Sequence, residues 1–124
     1  MVNKAKAQGT AWETAVVGRL RAAGFQLADR IKEGGSLDEG DVAFEDRFGE
    51  NWIVECKARA NYNVTQGLAK AKLKAANFRA GKMPHVVVAW KKLTRKDGNE
   101  RRSADGEPDV VIMDWETYMM LVQT

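Results

Sequence analysis

The sequence feature that most constrains the fold is an almost unbroken apolar run over residues 85–90, which reads His-Val-Val-Val-Ala-Trp. A strand with one face in water alternates apolar and polar side chains, whereas a continuous apolar run is typical of a strand buried on both faces. Such burial requires packed layers on each side of the sheet. Residues 85–90 are therefore predicted to form a central strand of a covered sheet.

Helix and strand signals alternate along the rest of the chain. Thr10, followed three residues later by Glu13, has the spacing of a capping box, which predicts a helix that begins there and ends at Gly24. A second helix is predicted over residues 64–79, with Thr65 as a possible N-cap. The other predicted elements are strands over residues 25–31, 41–44, 52–57 and 109–113, a helix capped by Asp114 and ending at Val122, and charged loops over residues 32–40 and 91–107.

This order of elements predicts an α/β fold in which helices flank a mixed central sheet. The strands over residues 41–44 and 52–57 are expected to form a hairpin around a polar turn. The 124 residues suit one domain of ordinary size, predicted to span residues 1–124.

The composition argues against several classes of protein. No apolar run approaches the ~20 residues of a membrane span, and the N-terminus lacks the apolar segment of a secretory signal, so a cytoplasmic location without a membrane partner is predicted. Cys56 is the only cysteine, which excludes an intrachain disulfide and a cysteine-cluster zinc site. Cys56 is interpreted as a small buried hydrophobe. His85, the only histidine, is interpreted as structural.

Charge is distributed unevenly between the two parts of the chain. Residues 1–56 hold 7 Lys and Arg against 10 Asp and Glu, whereas residues 57–124 hold 13 against 7. An acidic part followed by a basic part suits a cation site beside a surface that binds phosphates. The alternative is a solvated surface whose charge is merely uneven.

A charged pair interrupts the apolar strand over residues 52–57. Because side chains alternate along a strand, Glu55 and Lys57 are expected to share one face with Ile53. Charges within an apolar strand are costly unless they are paired or functional. If the hairpin closes as predicted, Asp41 lies close to both. A structural ion pair is the alternative, because Glu-x-Lys triplets are common.

Two carboxylates and one ammonium at one place have a known chemical use. Asp41 and Glu55 offer oxygen ligands to Mg²⁺, which keeps several waters and needs only one or two carboxylates. A metal held there can activate water and neutralise the charge on a phosphate. Lys57 can orient the attacking water or stabilise the transition state.

Gly40-Asp41, followed after a hairpin by Glu55-Cys56-Lys57, resembles the PD-(D/E)xK nuclease superfamily, with glycine in place of the motif's proline. The resemblance implies a restriction-endonuclease-like three-layer sandwich with a mixed central β-sheet. It also implies catalysis by Asp41, Glu55 and Lys57 with Mg²⁺, for which Mn²⁺ is expected to substitute.

The resemblance extends, over residues 8–92, to the archaeal-type and phage-type Holliday junction resolvases. It rests on Gly9-Thr10 followed by Glu13, on Gly24-Phe25 after the first helix, and on a Lys-rich helix before an apolar strand. In that family an arginine and a loop serine come before the catalytic Asp, and Arg30 and Ser36 come before Asp41 in the same order. It implies that Glu13 is a further catalytic and metal-binding acid and that Ser36 lies in the active site. The alternatives are that Glu13 only completes a capping box and that Ser36 is a turn residue.

Basic and polar side chains near these motifs are candidate DNA-binding residues. They are Arg30, Arg59, Gln66, Lys70 and Lys74. The second helix and the loop over residues 91–107 add to the basic surface, and such groups bind phosphates without regard to sequence. For Arg59 and Gln66 the alternative is ordinary loop polarity. No recognition helix is evident, so binding is expected to select the structure of branched or duplex DNA.

The function predicted is that of a Mg²⁺-dependent endonuclease that resolves Holliday junctions. The alternatives are another PD-(D/E)xK nuclease, restriction-like or specific for flaps or single strands, and a catalytically silent DNA-binding module. A four-way junction needs two symmetric cuts, which predicts a C2 homodimer. Candidate interface residues are Trp12, Trp115, Tyr118, Met119 and Met120, for which core packing is the alternative. The segment over residues 110–118 resembles phage proteins, which would place the protein in a host cytoplasm.

Overall fold

A computed structural model of the protein describes residues 4–31, 40–78, 82–96, 100–103 and 106–123. These residues form three helices and six strands. The helices are α1 (Lys4–Ala22), α2 (Val64–Ala75) and α3 (Trp115–Val122). The strands are β1 (Asp29–Arg30), β2 (Val42–Glu45), β3 (Asn51–Arg59), β4 (His85–Lys96), β5 (Glu100–Ser103) and β6 (Val110–Ile112).

The central position predicted for residues 85–90 is confirmed. β4 pairs in parallel with β3 from Trp52↔His85 to Arg59↔Lys92, and antiparallel with β6 on its other side. β2 and β3 form the predicted antiparallel hairpin, and β1 extends the sheet beyond β2. Because β3 and β4 are parallel and the others antiparallel, the sheet is mixed.

Helices cover both faces of this sheet. On one face, Trp12, Val16 and Val17 of α1 pack with Val54 and Cys56 of β3. On the other face, two alanines of α2 pack against Ile53 of β3 and against Val86 and Val88 of β4. The predicted α/β architecture with a mixed sheet flanked by helices is therefore confirmed, and it is compatible with a three-layer sandwich.

Helix α1 begins earlier than the capping box predicts. It starts at Lys4, so Thr10 lies within the helix, where its carbonyl oxygen accepts the hydroxyl of Thr14 at 3.0 Å. The upstream Lys and Ala residues are strong helix formers, which explains why the helix extends through Thr10. The predicted end is confirmed: Gly24 has a φ of 108°, and the N–H of Phe25 donates to the carbonyl of Leu20 at 3.0 Å.

The other two helices also have side-chain caps. The N-cap of α2 is Asn63, not Thr65, since the Asn63 side chain accepts from the N–H of Gln66. Helix α2 ends at Ala75, four residues before the predicted end. Asp114 caps α3 as predicted, accepting from the N–H of Thr117 at 2.9 Å. No helix in the described ranges is long and apolar enough to cross a membrane.

Two of the predicted boundaries are wrong. The strand expected over residues 25–31 is reduced to Asp29–Arg30, and the loop expected over residues 91–107 contains the second half of β4 and the whole of β5. Pairing between β3 and β4 ends at Lys92, and from Leu93 onward the described part of β4 pairs with β5. A two-stranded ribbon buries little, so its sequence lacks the apolar pattern by which strands are recognised.

Candidate functional site

Glu55 is a buried carboxylate in the middle of the sheet. It lies on β3, its side chain is 2% exposed, and it is on the face that α2 covers. Its Oε1 atom accepts from Nζ of Lys74 at 2.8 Å and lies 3.3 Å from Nζ of Lys57. Two ammonium groups therefore compensate the cost of burying this charge, but both act on the same oxygen.

The other oxygen of Glu55, Oε2, is buried and has no hydrogen-bond partner among the residues that the structure describes. A Cβ atom added at Gly40 would lie 3.7 Å from Oε2 and 2.6 Å from Cγ2 of Ile53. Gly40 also has a φ of 118°, which proline cannot adopt. The backbone conformation and the close approach of Ile53 therefore both favour glycine here, and glycine keeps the space beside Oε2 free of a side chain.

Asp41 comes directly after Gly40 and precedes β2. Its Oδ2 atom accepts from the backbone N–H of Cys56 at 2.8 Å, which fixes the carboxylate beside β3. Burial, and then repulsion from Glu55, raise the pKa of Asp41 to about 6. The pKa of Asp41 is therefore raised by the loss of water around it and by a second carboxylate nearby.

Lys57 completes the group that the sequence analysis singled out. It lies two residues after Glu55 on the same face of β3, and its side chain is 23% exposed. Its charge acts to lower the pKa of Asp41. The structure thus brings Asp41, Glu55 and Lys57 together, with both acids largely removed from water and the ammonium nearer to it.

Glu13 approaches Asp41 from α1, on the side of the sheet away from Glu55. Its Oε1 atom lies 3.3 Å from Nε of Arg30, and its charge contributes to the raised pKa of Asp41. Among the described residues, no group of three or more His, Cys, Asp or Glu side chains is arranged to hold a metal ion. Metal binding by Asp41, Glu55 and Glu13 therefore stays a prediction.

Two residues near Glu55 were not identified as part of this site from the sequence. Lys74, predicted to bind DNA, instead donates to Glu55. The sequence feature that could have revealed this contact is the position of Lys74, which directly precedes Ala75, a buried residue of α2. The hydroxyl of Tyr62 is buried and has no partner within the described ranges. Its burial, and then the charge of Glu55, raise its pKa. Gly67 accommodates Tyr62, because a Cβ there would overlap the hydroxyl.

The other predicted DNA-binding residues lie around this site. Arg59 ends β3, is exposed, and its guanidinium lies 5.7 Å from the centre of the Tyr62 ring. Gln66 and Lys70 are exposed on the first two turns of α2. Arg30 is about half exposed and contacts Glu13. Ser36 lies outside the described residues, so its predicted role is not addressed.

Trp12 does not belong to an exposed interface. Its side chain is 4% exposed, and its indole N–H donates to the carbonyl of Ala89 at 2.9 Å. Its assignment to a dimer interface is therefore wrong, and core packing is the correct alternative. Trp115 and Tyr118 are 73% and 48% exposed, whereas Met120 packs against the core.

The predicted interpretations of Cys56 and His85 agree with their surroundings. Cys56 is buried in the cluster beneath α1, and burial raises the pKa of its thiol above the ordinary value. The ring of His85 lies 4.7 Å from that of Trp52, at the end of the sheet away from Lys57.

No protein-family model matches this sequence, and a search of curated proteins returns no match.

Proposed function

We propose that this protein is a Mg²⁺-dependent DNA endonuclease with a restriction-endonuclease-like fold, and that it resolves Holliday junctions. The observation that carries the proposal is the buried Glu55 carboxylate. One of its oxygens contacts two ammonium groups, while the other has no hydrogen-bond partner among the described residues and faces the position of Gly40, which Asp41 directly follows.

The residues present suit a divalent cation. Mg²⁺ prefers carboxylate oxygens and retains several waters, so Asp41 and the free oxygen of Glu55 are a sufficient pair of protein ligands. A cation bound to both would give Glu55 Oε2 its missing partner. It would also remove the repulsion that raises the pKa of Asp41.

The two lysines have separate roles in the proposed reaction. Bound Mg²⁺ supplies an activated water and neutralises charge on the scissile phosphate. Lys74 makes the shorter contact with Glu55 and holds that carboxylate in position. Lys57 makes the longer contact, so its ammonium is free to turn toward the phosphate, where it donates to an oxygen that gains charge in the transition state.

Basic residues at the same end of the sheet support a nucleic-acid substrate. Arg59 follows Lys57 by two residues, and α2 begins just beyond it with Gln66 and Lys70 exposed. Side chains of this kind bind the sugar-phosphate backbone, which selects DNA shape over base sequence.

The choice of a four-way junction rests on the resemblance to resolvases and requires a dimer. Helix α3 offers a contact surface, since Trp115, Val122 and the neighbouring Val111 are all more than half exposed. A groove of 1150 Å³ adjoins it, bordered by Leu121. Burying this apolar surface against a second copy would favour a C2 dimer with two active sites.

Light scattering tests the dimer. We expect a dimer at micromolar concentration that Trp115→Glu converts to a monomer. Leu73→Glu, which changes a residue that is 74% exposed on α2, should leave it intact. A monomeric wild-type protein would exclude this arrangement.

The test of the substrate compares a labelled four-way junction with a linear duplex and a flap of matching sequence, each with Mg²⁺. Paired, symmetric nicks in the junction alone support a resolvase. Equal cutting of the duplex or flap would retain the nuclease and exclude junction selectivity. Binding without cutting, with Mg²⁺ or Mn²⁺, would instead indicate a catalytically silent module.

A further inference from the structure

Beyond the main sheet, β4 and β5 form a two-stranded ribbon. Pairing between β3 and β4 ends at Arg59↔Lys92, and from Leu93 onward β4 pairs with β5, as far as Lys96↔Glu100. Four residues of each strand therefore extend past the end of β3. At 3.3–3.4 Å per residue, the ribbon projects about 13 Å.

The ribbon leaves the sheet at the end where the candidate site lies. Because β3 and β4 are parallel, Lys57 is level with Trp90, and β4 continues from there toward Lys96. The indole N–H of Trp90 donates to the carbonyl of Arg59 at 3.0 Å, which joins the base of the ribbon to the end of β3. Lys96 is six residues beyond Trp90, or about 20 Å along the strand.

The ribbon is rich in positive charge. Of its eight residues, four are Lys or Arg and one is acidic: Leu93, Thr94, Arg95, Lys96, Glu100, Arg101, Arg102 and Ser103. Arg95 and Arg101 are directly opposite each other in the register. A lone two-stranded ribbon gains little stability from burial, so its sequence is free to serve another purpose. A ribbon of this composition attracts a polyanion.

The base of the ribbon differs from the ribbon itself. Nζ of Lys91 lies 3.4 Å from Oδ1 of Asp109, and Nζ of Lys92 lies 3.2 Å from Oε1 of Glu107. The basic residues next to the sheet are therefore paired within the protein. Leu93 is buried, and it belongs to the residue pair of the ribbon that lies nearest the sheet. The base of the ribbon is thus fixed to the protein, and the four basic residues of the ribbon follow where the strands leave the sheet, which is the position of an arm that contacts a partner.

We propose that the ribbon is a DNA-binding arm that contacts the phosphates of the duplex next to the cleavage site. The identity of the polyanion rests on the proposed nuclease function. The ribbon covers distances of about 10–20 Å from the level of Lys57, which corresponds to about 3–6 base pairs at about 3.4 Å each. The major groove is wide enough to admit a two-stranded ribbon.

The test measures binding of a labelled four-way junction with Ca²⁺ in place of Mg²⁺, so that binding is separated from cleavage. Arg101→Gln combined with Arg102→Gln should weaken Kd by about tenfold and reduce the slope of log Kd against log salt by about 2. Arg102→Gln alone should reduce that slope by about 1. It serves as the second variant if the double variant does not fold, as judged by its thermal unfolding.

The matched control is Arg47→Gln combined with Lys82→Gln. Both residues are exposed, both lie at the opposite end of the sheet, and the control removes the same charge. We expect its Kd to stay within about twofold of wild type, because a surface charge contributes little at a distance beyond the Debye length. An equal loss in both double variants would show a general charge effect and overturn the proposal, as would wild-type binding by the ribbon variant.

The outcomes also separate the arm from the nuclease. If the wild type cuts the junction with Mg²⁺ but the ribbon variant binds normally, the arm is excluded and the nuclease stands. If the wild type binds DNA without cutting and the ribbon variant loses that binding, the arm stands and the nuclease is excluded. Absence of DNA binding by the wild type would overturn both.

Discussion

Lys74 of α2 donates to Oε1 of Glu55 at 2.8 Å, so a helix that covers the sheet positions the carboxylate at its centre. Glu55 is almost fully buried, whereas the side chain of Lys74 is 33% exposed. This contact accounts for the tolerance of a negative charge inside the sheet. The second oxygen of Glu55 has no hydrogen-bond partner in the described part of the chain and faces the position of Gly40.

Lys74→Met should destabilise the protein, because it removes the shorter of the two charged contacts of a buried carboxylate. We expect a loss of about 1–3 kcal/mol in the free energy of unfolding, measured with urea in EDTA. Lys70→Met, one turn earlier on α2 and exposed, should change it by less than about 0.5 kcal/mol. Equal effects would show that Lys74 behaves as an ordinary surface residue.

Asp41→Asn should stabilise the metal-free protein at pH 7.5. The pKa of Asp41 is raised to about 6 in the folded state, so the folded protein holds an extra proton between the ordinary pKa and pH 6. The wild type therefore loses stability as the pH rises through about 6, and the variant lacks this loss. We expect a difference of about 1–3 kcal/mol at pH 7.5 that shrinks toward pH 5.

Urea unfolding of both proteins in EDTA at the two pH values measures this difference directly. Adding Mg²⁺ at pH 7.5 should stabilise the wild type more than the variant. A difference independent of pH would contradict the raised pKa.

Gly40→Ala should destabilise the protein and impair the site. The φ of 118° is strained for alanine, and the new Cβ would lie 2.6 Å from Cγ2 of Ile53. We expect a cost of about 1–3 kcal/mol by thermal or urea unfolding. Gly18→Ala is the control, since it lies in α1 with open space around it and should be neutral or stabilising. A neutral Gly40→Ala would argue against this backbone conformation.

Lys57→Met should separate catalysis from binding. We expect the cleavage rate with Mg²⁺ to fall about 10²–10³-fold, because an ammonium that acts on the transition state is lost. The Kd for the junction in Ca²⁺ should change less than about threefold, since one phosphate contact is at stake. Single-turnover kinetics and a binding titration measure the two quantities. A variant that cuts at the wild-type rate would remove Lys57 from the proposed mechanism.

The central part of the fold could be predicted because burial imposes a pattern on the sequence. Residues 85–90 are apolar because β4 has neighbours and helices around it, and the alternation in β3 places Glu55 and Lys57 on one face. Asp114 was identifiable as a cap because its side chain bonds locally. The juxtaposition of Asp41, Glu55 and Lys57 followed from the hairpin alone.

Other features could not be predicted, because they depend on contacts between distant segments or lie in strands that bury few side chains. The pairing of Lys74 with Glu55 joins residues 19 positions apart, and α2 carries other lysines that read alike. The position of Trp12 in the core depends on the carbonyl of Ala89. The ribbon of β4 and β5 lacks an apolar alternation, so it was mistaken for a loop.

The central claim is that Asp41 and Glu55 hold a divalent cation used to cut DNA. The most direct measurement is cleavage of a labelled four-way junction by the wild type and by Asp41→Ala, each with Mg²⁺ and with EDTA. We predict nicks by the wild type with Mg²⁺ only, and none by a variant that is folded by circular dichroism. Cleavage that survives EDTA, or that Asp41→Ala retains, would contradict the claim.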